Sequence, residues 1–310
     1  MTALICGSMA YDTVMVFEGR FHEHILPDRI RMLNVSFLAP SMRRNFGGCA
    51  GNIAYNLKLL GGSGQIMATV GHDFAPYALW LQKCGVSTAH VRTIDSEFTA
   101  QAFITTDLDS NQITAFHPGA MNQSHQNRVG DARGAALGLI SPDGRQGMLD
   151  HAAQFATAGV PFMFDPGQGL PMFNGEELRA FIDQAAYVAV NDYEGSLLCE
   201  RTGWSAEEIA ARVQALIVTR GAEGSAIYTG GQKLQIPVAP ATKLADPTGC
   251  GDAYRAGLLY GLQKGLDWAT TGRIASLAGC FKMEHHGTQQ HQYTMPDFAA
   301  RYKAVFGQEL

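Results

Sequence analysis

The chain has 310 residues, 46% of them hydrophobic and 16% charged, with a formal net charge of -5. That composition excludes a disordered chain. Lys and Arg are scattered and the balance is acidic, which argues against nucleic acid or an anionic membrane as partner. No apolar run approaches the ~18 residues of a membrane span.

Residues 2–7 read as a buried first strand ending in glycine. Ser8 and Asp12 follow where it ends, and in open parallel sheets ligands bind beyond the carboxyl ends of the strands. Asp12 is placed either to accept hydrogen bonds from a hydroxyl pair or to cap its own turn. Over 13–46 the pattern predicts strands around Val14, Val16 and Phe17 and again over 32–38, separated by a polar turn. Gly47 and Gly48 then open a helix and allow close backbone approach to a ligand. Asn52, in its first turn, offers both a donor and an acceptor. A strand over 67–70 and a helix over 75–84 follow. Residues 99–106 and 112–116, around a turn at 109–111, read as a hairpin. The segments 13–46 and 97–118 are thus expected to form a small antiparallel lid over the main sheet.

From about 135 the pattern alternates. Apolar runs at 135–140, 160–164, 186–190, 215–218 and 225–228 read as strands, and helical patterns at 146–158, 175–184, 192–200 and 205–213 lie between the first four. Helices over 251–264, 267–285 and 296–306 close the chain. This predicts one large α/β domain over 1–310, with a mainly parallel central sheet flanked by helices on both faces and its strand C-termini on one rim.

The most informative stretch is 245–257. Gly249 and Gly251 free the backbone, and a helix starts at once. Such a turn points amides and the positive end of a helix dipole at one spot, which suits a phosphate or a developing negative charge. Asp252, in the first turn, is positioned to take a proton there; the alternative is an aspartate that only complements the dipole. Asn191 and Glu194 follow a strand and can hold a hydrated Mg²⁺, or form a capping box. Thr219, Arg220 and Gly221 form either a phosphate contact or a plain turn. Asp165 to Gln168 ends another strand at the same rim. Phe103 and Phe116 either stack on a flat ring or fill the lid. His285, His286 and His291 read as a solvated helix end rather than a metal site. The six cysteines lie far apart, and residues 1–17 lack a basic n-region, so reduced thiols in the cytoplasm are expected; Cys49 and Cys250 read as small fillers. The chain has no GxxxxGK[ST], no GxGxxG after its first strand, and no HRD, DFG or GxSxG.

Gly47-Gly48-Cys49-Ala50-Gly51-Asn52 and Asp246-Pro247-Thr248-Gly249-Cys250-Gly251-Asp252 resemble the two signatures of the ribokinase (PfkB-type) carbohydrate and nucleoside kinases, and Asn191-Asp192-Tyr193-Glu194 resembles that family's N-x-x-E element. The three stand in the family's order. Within the family, Ser8 with Asp12, the run 115–121, the run 164–168 and 286–289 look like the bacterial adenosine kinases. Pro247, Cys250 and Gly169 depart from the common pattern.

The resemblance implies a ribokinase-like fold and ATP- and Mg²⁺-dependent phosphorylation of a nucleoside 5′-hydroxyl, adenosine to AMP first. Asp252 would be the base, and the amides of Gly249, Cys250 and Gly251 the anion hole. Asp12, Asn52 and Gly48 would bind the ribose, and Ser8, Phe103, Phe116 and Gln168 the adenine. Asn191 and Glu194 would serve Mg²⁺ and phosphates, with Thr219 and Gly221 beside ATP. It also implies a K⁺ effect around Thr242 and Asp246, and a homodimer through the lid. Two rivals stay open: a sugar kinase of the same fold, and a non-catalytic nucleoside-binding protein.

Overall fold

The first strand sets the architecture. β1 (Thr2–Cys6) is apolar on both sides, so Ala3 and Ile5 enter one core layer and Leu4 and Cys6 the other. A strand buried on both faces belongs in the middle of a parallel sheet with helices above and below. The computed structural model describes residues 1–25 and 34–310. After β1 come β2 (Ala10–Val16), α1 (Phe21–His24), β3 (Ser41–Gly47), α2 (Cys49–Leu59), β4 (Gly64–Gly71), α3 (Ala75–Lys83), β5 (Ser87–Ile94), β6 (Ala100–Thr106) and β7 (Gln112–His117). Then follow β8 (Ala135–Ile140), α4 (Arg145–Ala158), β9 (Phe162–Phe164), α5 (Gly175–Gln184), β10 (Tyr187–Asn191), α6 (Asp192–Thr202), α7 (Ala206–Ala210), β11 (Ala215–Thr219), β12 (Ser225–Thr229), β13 (Gln232–Ile236), α8 (Cys250–Lys264), α9 (Trp268–Met283) and α10 (Met295–Phe306).

Among the described residues the large sheet has nine strands, in the order β13-β12-β11-β10-β9-β8-β1-β4-β5. All neighbours from β11 to β5 pair parallel, which brings the C-terminal ends of seven strands to one rim. The edge pairs β11-β12 and β12-β13 are antiparallel. One face is covered by α2, α3 and α8, through Ile53, Leu57, Tyr77, Leu81, Ala256 and Leu259. The other is covered by α4, α5 and α6, through Phe155, Leu178, Phe181 and Leu198. Helices α9 and α10 add a satellite core around Ile274, Leu277, Phe298 and Tyr302.

The second sheet is the lid, in the order β3-β2-β6-β7. β2-β3 and β6-β7 are antiparallel, whereas β2-β6 is parallel. Of the strand expected over 32–38, residues 32 and 33 lie outside the described residues and 34–38 are not a strand. The lid strand is β3, whose exposed Met42, Arg43 and Arg44 give no apolar run to find. Edge strands β5 and β13 escaped expectation for the same reason: both are half-exposed and polar. The helix expected over 205–213 stops at Ala210, after a capping box of Ser205 and Glu208. Among the described residues no helix is long and apolar enough to cross a membrane.

Candidate active site

At the rim, between the large sheet and the lid, lies a cleft of about 860 Å³. Thirteen of the sequence-predicted residues line it: Ser8, Asp12, Gly48, Asn52, Phe116, Gln168, Asn191, Glu194, Thr219, Gly221, Gly249, Gly251 and Asp252. An adjoining, mostly apolar cavity of about 490 Å³ is walled by Val238, Ala239, Leu244, Tyr254 and Met283, among others. Thr219, Gly221 and Gly251 belong to both, so they mark where the two cavities meet.

Asp252 sits in the first turn of α8, whose N-cap Gly249 has φ 82°, a left-handed conformation that favours glycine. The side chain is open to the cleft yet otherwise packed in protein. Burial pushes its carboxyl up to about 7, Asp165 adds to this, and a hydrogen bond from Asn52 and the charge of Arg255 oppose it. Asn52 Nδ2 donates to Asp252 Oδ2 at 2.8 Å. Asn52 is itself held: its Oδ1 accepts from Gln289 Nε2 at 3.0 Å, and Gln289 Oε1 accepts from Trp80 Nε1 at 2.9 Å. A buried relay through Gln289 therefore fixes which end of the Asn52 amide meets the carboxylate.

The glycines divide by role. Among the described residues a Cβ on Gly251 would meet nothing within 4 Å, which leaves space above it for a ligand. A Cβ on Gly48 would lie 2.5 Å from Ser8 O, and one on Gly47 would lie 2.4 Å from Asp12 Oδ2. These two glycines make room for the protein's own backbone and for Asp12, not only for a ligand. Of the three amides expected to form the anion hole, that of Cys250 donates to Pro247 O at 3.1 Å. The Gly249 and Gly251 amides have no such turn partner among the described residues. The Cys250 side chain faces the apolar cavity, and burial pushes its thiol up to about 11, as expected of an inert filler.

The lid contributes by strand parity. Asp12 pairs with Ala102, and Ala102 with Phe116, in one row across β2, β6 and β7; all three line the cleft. Burial, with Asp246 nearby, pushes the Asp12 carboxyl up to about 6. Phe103 pairs with Thr13 and Ala115 and therefore points to the opposite face of the lid. Its expected contact with a ring is corrected on that ground.

Asn191 and Glu194 do form the capping box: Asn191 Oδ1 accepts from the Glu194 amide at 2.7 Å and Glu194 Oε2 from the Asn191 amide at 2.8 Å. Both still line the cleft, and the cap engages only one carboxylate oxygen of Glu194. A half-buried carboxylate with an uncommitted oxygen fits a hydrated Mg²⁺. Arg220 turns away and bonds Gln235 on β13. Ser8 Oγ accepts from the Cys49 amide at 3.1 Å, capping the start of α2.

Sequence reasoning missed several lining residues. Arg255, one turn after Asp252, is buried and donates to Asp165 Oδ1 at 3.0 Å, with Glu194 Oε2 at 4.0 Å. It lies where β9, α6 and α8 converge. Helical spacing from Asp252 was the available signal. Met121 and Met172 also line the cleft. His291 is no solvated helix end: it is fully buried, its Nε2 2.7 Å from Asn56 Oδ1, and burial drives it down to about 3, so it stays neutral. Among the described residues no His, Cys, Asp or Glu group has metal-site geometry. Asp246 lies outside the cleft lining, its carboxylate accepting from the Thr248 and Gly287 amides at 2.9 Å each.

The chain matches the family model described as "pfkB family carbohydrate kinase" over residues 10–295. It is similar to the structure of a Burkholderia thailandensis nucleoside kinase in complex with inosine, with 55% identity, 99% of each chain covered and a TM-score of 0.91. The ADP-inosine complex of that protein matches with 56% identity, 99% of this chain and 97% of the other covered, and a TM-score of 0.88. The Methanocaldococcus jannaschii nucleoside kinase is 33% identical over 258 residues, 83% of this chain and 85% of that one. Taken with the fold and the glycine turn that opens α8 at Asp252, these likenesses place the chain in the pfkB family of carbohydrate kinases, as a phosphotransferase acting on an alcohol group.

Proposed function

We propose that the chain transfers the γ-phosphoryl group of ATP to the 5′-hydroxyl of a purine nucleoside, adenosine to AMP being the reaction its sequence points to. The observation that carries this reading is the meeting of two unlike cavities beside Asp252. The larger holds the charged and amide side chains and offers Asp12 and Asn52 to a hydroxyl pair. The other is mostly apolar and suits a second ring system. The 5′-oxygen attacks the γ-phosphorus, the bond to the β-bridging oxygen breaks, and the hydroxyl proton passes to Asp252. The Gly249 and Gly251 amides and the start of α8 stabilise the charge on the transferring group. Asn191 and Glu194 would hold Mg²⁺, which neutralises phosphate charge when bound.

Phe116, Met121 and Met172 supply apolar walls for a base, and the exposed Gln168 supplies its polar edge. A carboxamide both donates and accepts. Gln168 therefore matches the 6-amino edge of adenosine and the 6-oxo edge of inosine alike, the latter being the ligand of the Burkholderia thailandensis protein. A coupled ADP-release assay on adenosine, inosine, guanosine, ribose and fructose tests the reading. Turnover with purine nucleosides at least tenfold above ribose and fructose is expected by roughly the value of one good base contact; a preference for the free sugars overturns it. The same reading sets a second copy against the opposite face of the lid, where Met42, Phe103 and Ile113 are exposed. Light scattering on the purified protein checks that.

A further inference from the structure

Lys282, near the end of α9, has none of its surface exposed. Burying an ammonium is costly unless it is paired, yet among the described residues no carboxylate lies within ion-pair distance of it. Its partners are two main-chain carbonyls: Nζ donates to Asp246 O and to His285 O, each at 2.9 Å. These oxygens come from the two loops that meet under the α8 turn. The loops are also joined by the Ala245 and Asp246 amides, both donating to Met283 O, and by the Gly287 amide on the Asp246 carboxylate. The lysine stem passes directly beneath the turn: a Cβ on Gly249 would lie 3.6 Å from Lys282 Cε. The charge therefore sits where two carbonyls, one from each loop, converge behind the amides assigned to the transferring phosphoryl group.

Carbonyl oxygens converging on one point are the ligand chemistry of a dehydrated monovalent cation. The resemblance implies K⁺ in this region. The residues do not fit that ion, because an ammonium of the protein already holds the carbonyls. We propose that Lys282 is a built-in substitute for a monovalent cation, tying 245–249 to 283–288 so that the α8 turn is organised without K⁺. The lysine touches no reacting atom and is a positioning residue. The activity arm of its test rests on the phosphotransfer reading above; the melting arm does not.

The experiment is a KCl titration against choline chloride at constant ionic strength, with Mg²⁺ present, on the full chain and on Lys282→Met. ADP formation and the melting midpoint are read together. For the unaltered chain both readouts are expected to be the same in KCl and choline chloride, within about twofold in rate. Lys282→Met leaves two buried carbonyls without their donor, which predicts a turnover loss of about tenfold or more. It is also expected to gain a K⁺-dependent rise in rate and in melting midpoint that choline does not give, with methylammonium acting like K⁺. Activation or stabilisation of the unaltered chain by K⁺ alone overturns the proposal, and needs no variant to fold. So does a Lys282→Met protein that matches the unaltered chain in both readouts. If no substrate is phosphorylated by either protein, the function reading fails, while the melting data still decide this inference.

Discussion

Replacing Asp252 by Asn removes one ionisable proton and keeps the shape and the bond accepted from Asn52. Turnover is expected to fall by ~10²–10⁴-fold, the usual cost of losing a general base, with nucleoside binding retained. The structure also predicts an effect on stability. The Asp252 carboxyl is raised by burial from the ordinary 3.8 to about 7. Between those values the folded chain holds a proton that the unfolded chain releases, so wild-type stability falls as pH rises through that window and levels off above it. The Asn variant carries no such penalty. Between pH 5 and 8 the gap in favour of the variant therefore widens by about 2–3 kcal/mol. At roughly 2.1 cal/mol/K of unfolding entropy per residue, that is about 4 °C in melting midpoint for a chain this long. Calorimetry of both proteins across the pH range reads the stability term, and ADP release reads the chemical one. A variant with near-native turnover, or a gap that is flat or narrows with rising pH, refutes the reasoning.

Phe116→Ala is expected to raise the nucleoside KM by about tenfold, the scale of one lost base stack, whereas Phe103→Ala, on the other lid face, leaves KM unchanged in the same steady-state assay. The nucleoside KM rises as pH falls through about 6, where the Asp12 carboxylate takes a proton and keeps only a neutral, weaker acceptor for hydroxyls; Asp12→Asn shows a high KM without that inflection. Arg255→Met leaves Asp165 buried without its partner and is expected to cost about 3–5 kcal/mol in urea unfolding. The double variant Arg255→Met with Asp165→Asn recovers much of that loss.

What could be read from the sequence was what is local. The glycine turn before Asp252, the glycine cluster before Asn52 and the cap at Asn191 are each contained in one short run, and each stands at the rim. The regular alternation after residue 135 gave the parallel sheet, because fully buried strands have no polar side to confuse the pattern. Edge strands β5 and β13 mix exposed and half-buried residues and show no such run. Contacts across long separations were hidden for another reason. Gln289 meets Asn52 across 237 positions, and Arg255 meets Asp165 across 90. Nothing near either residue announces its partner. Phe103 differs: which face of the lid it takes was legible. Strand ends at 106 and 112 already set the hairpin register, which puts Phe103 and Phe116 on opposite faces.

The short junctions between the two sheets carry a mechanical consequence. β1 ends at Cys6 and β2 begins at Ala10, while β3 ends at Gly47 and α2 begins at Cys49. The lid thus joins the main body through three residues at one crossing and one at another, with two more crossings near 95–99 and at Pro118. Any swing of the lid is absorbed at these few bonds. Ser8 and Gly48 are among them, and both also line the cleft. The junctions and the cleft wall therefore share residues, and a molecule touching Ser8 and Gly48 touches the joints between lid and body.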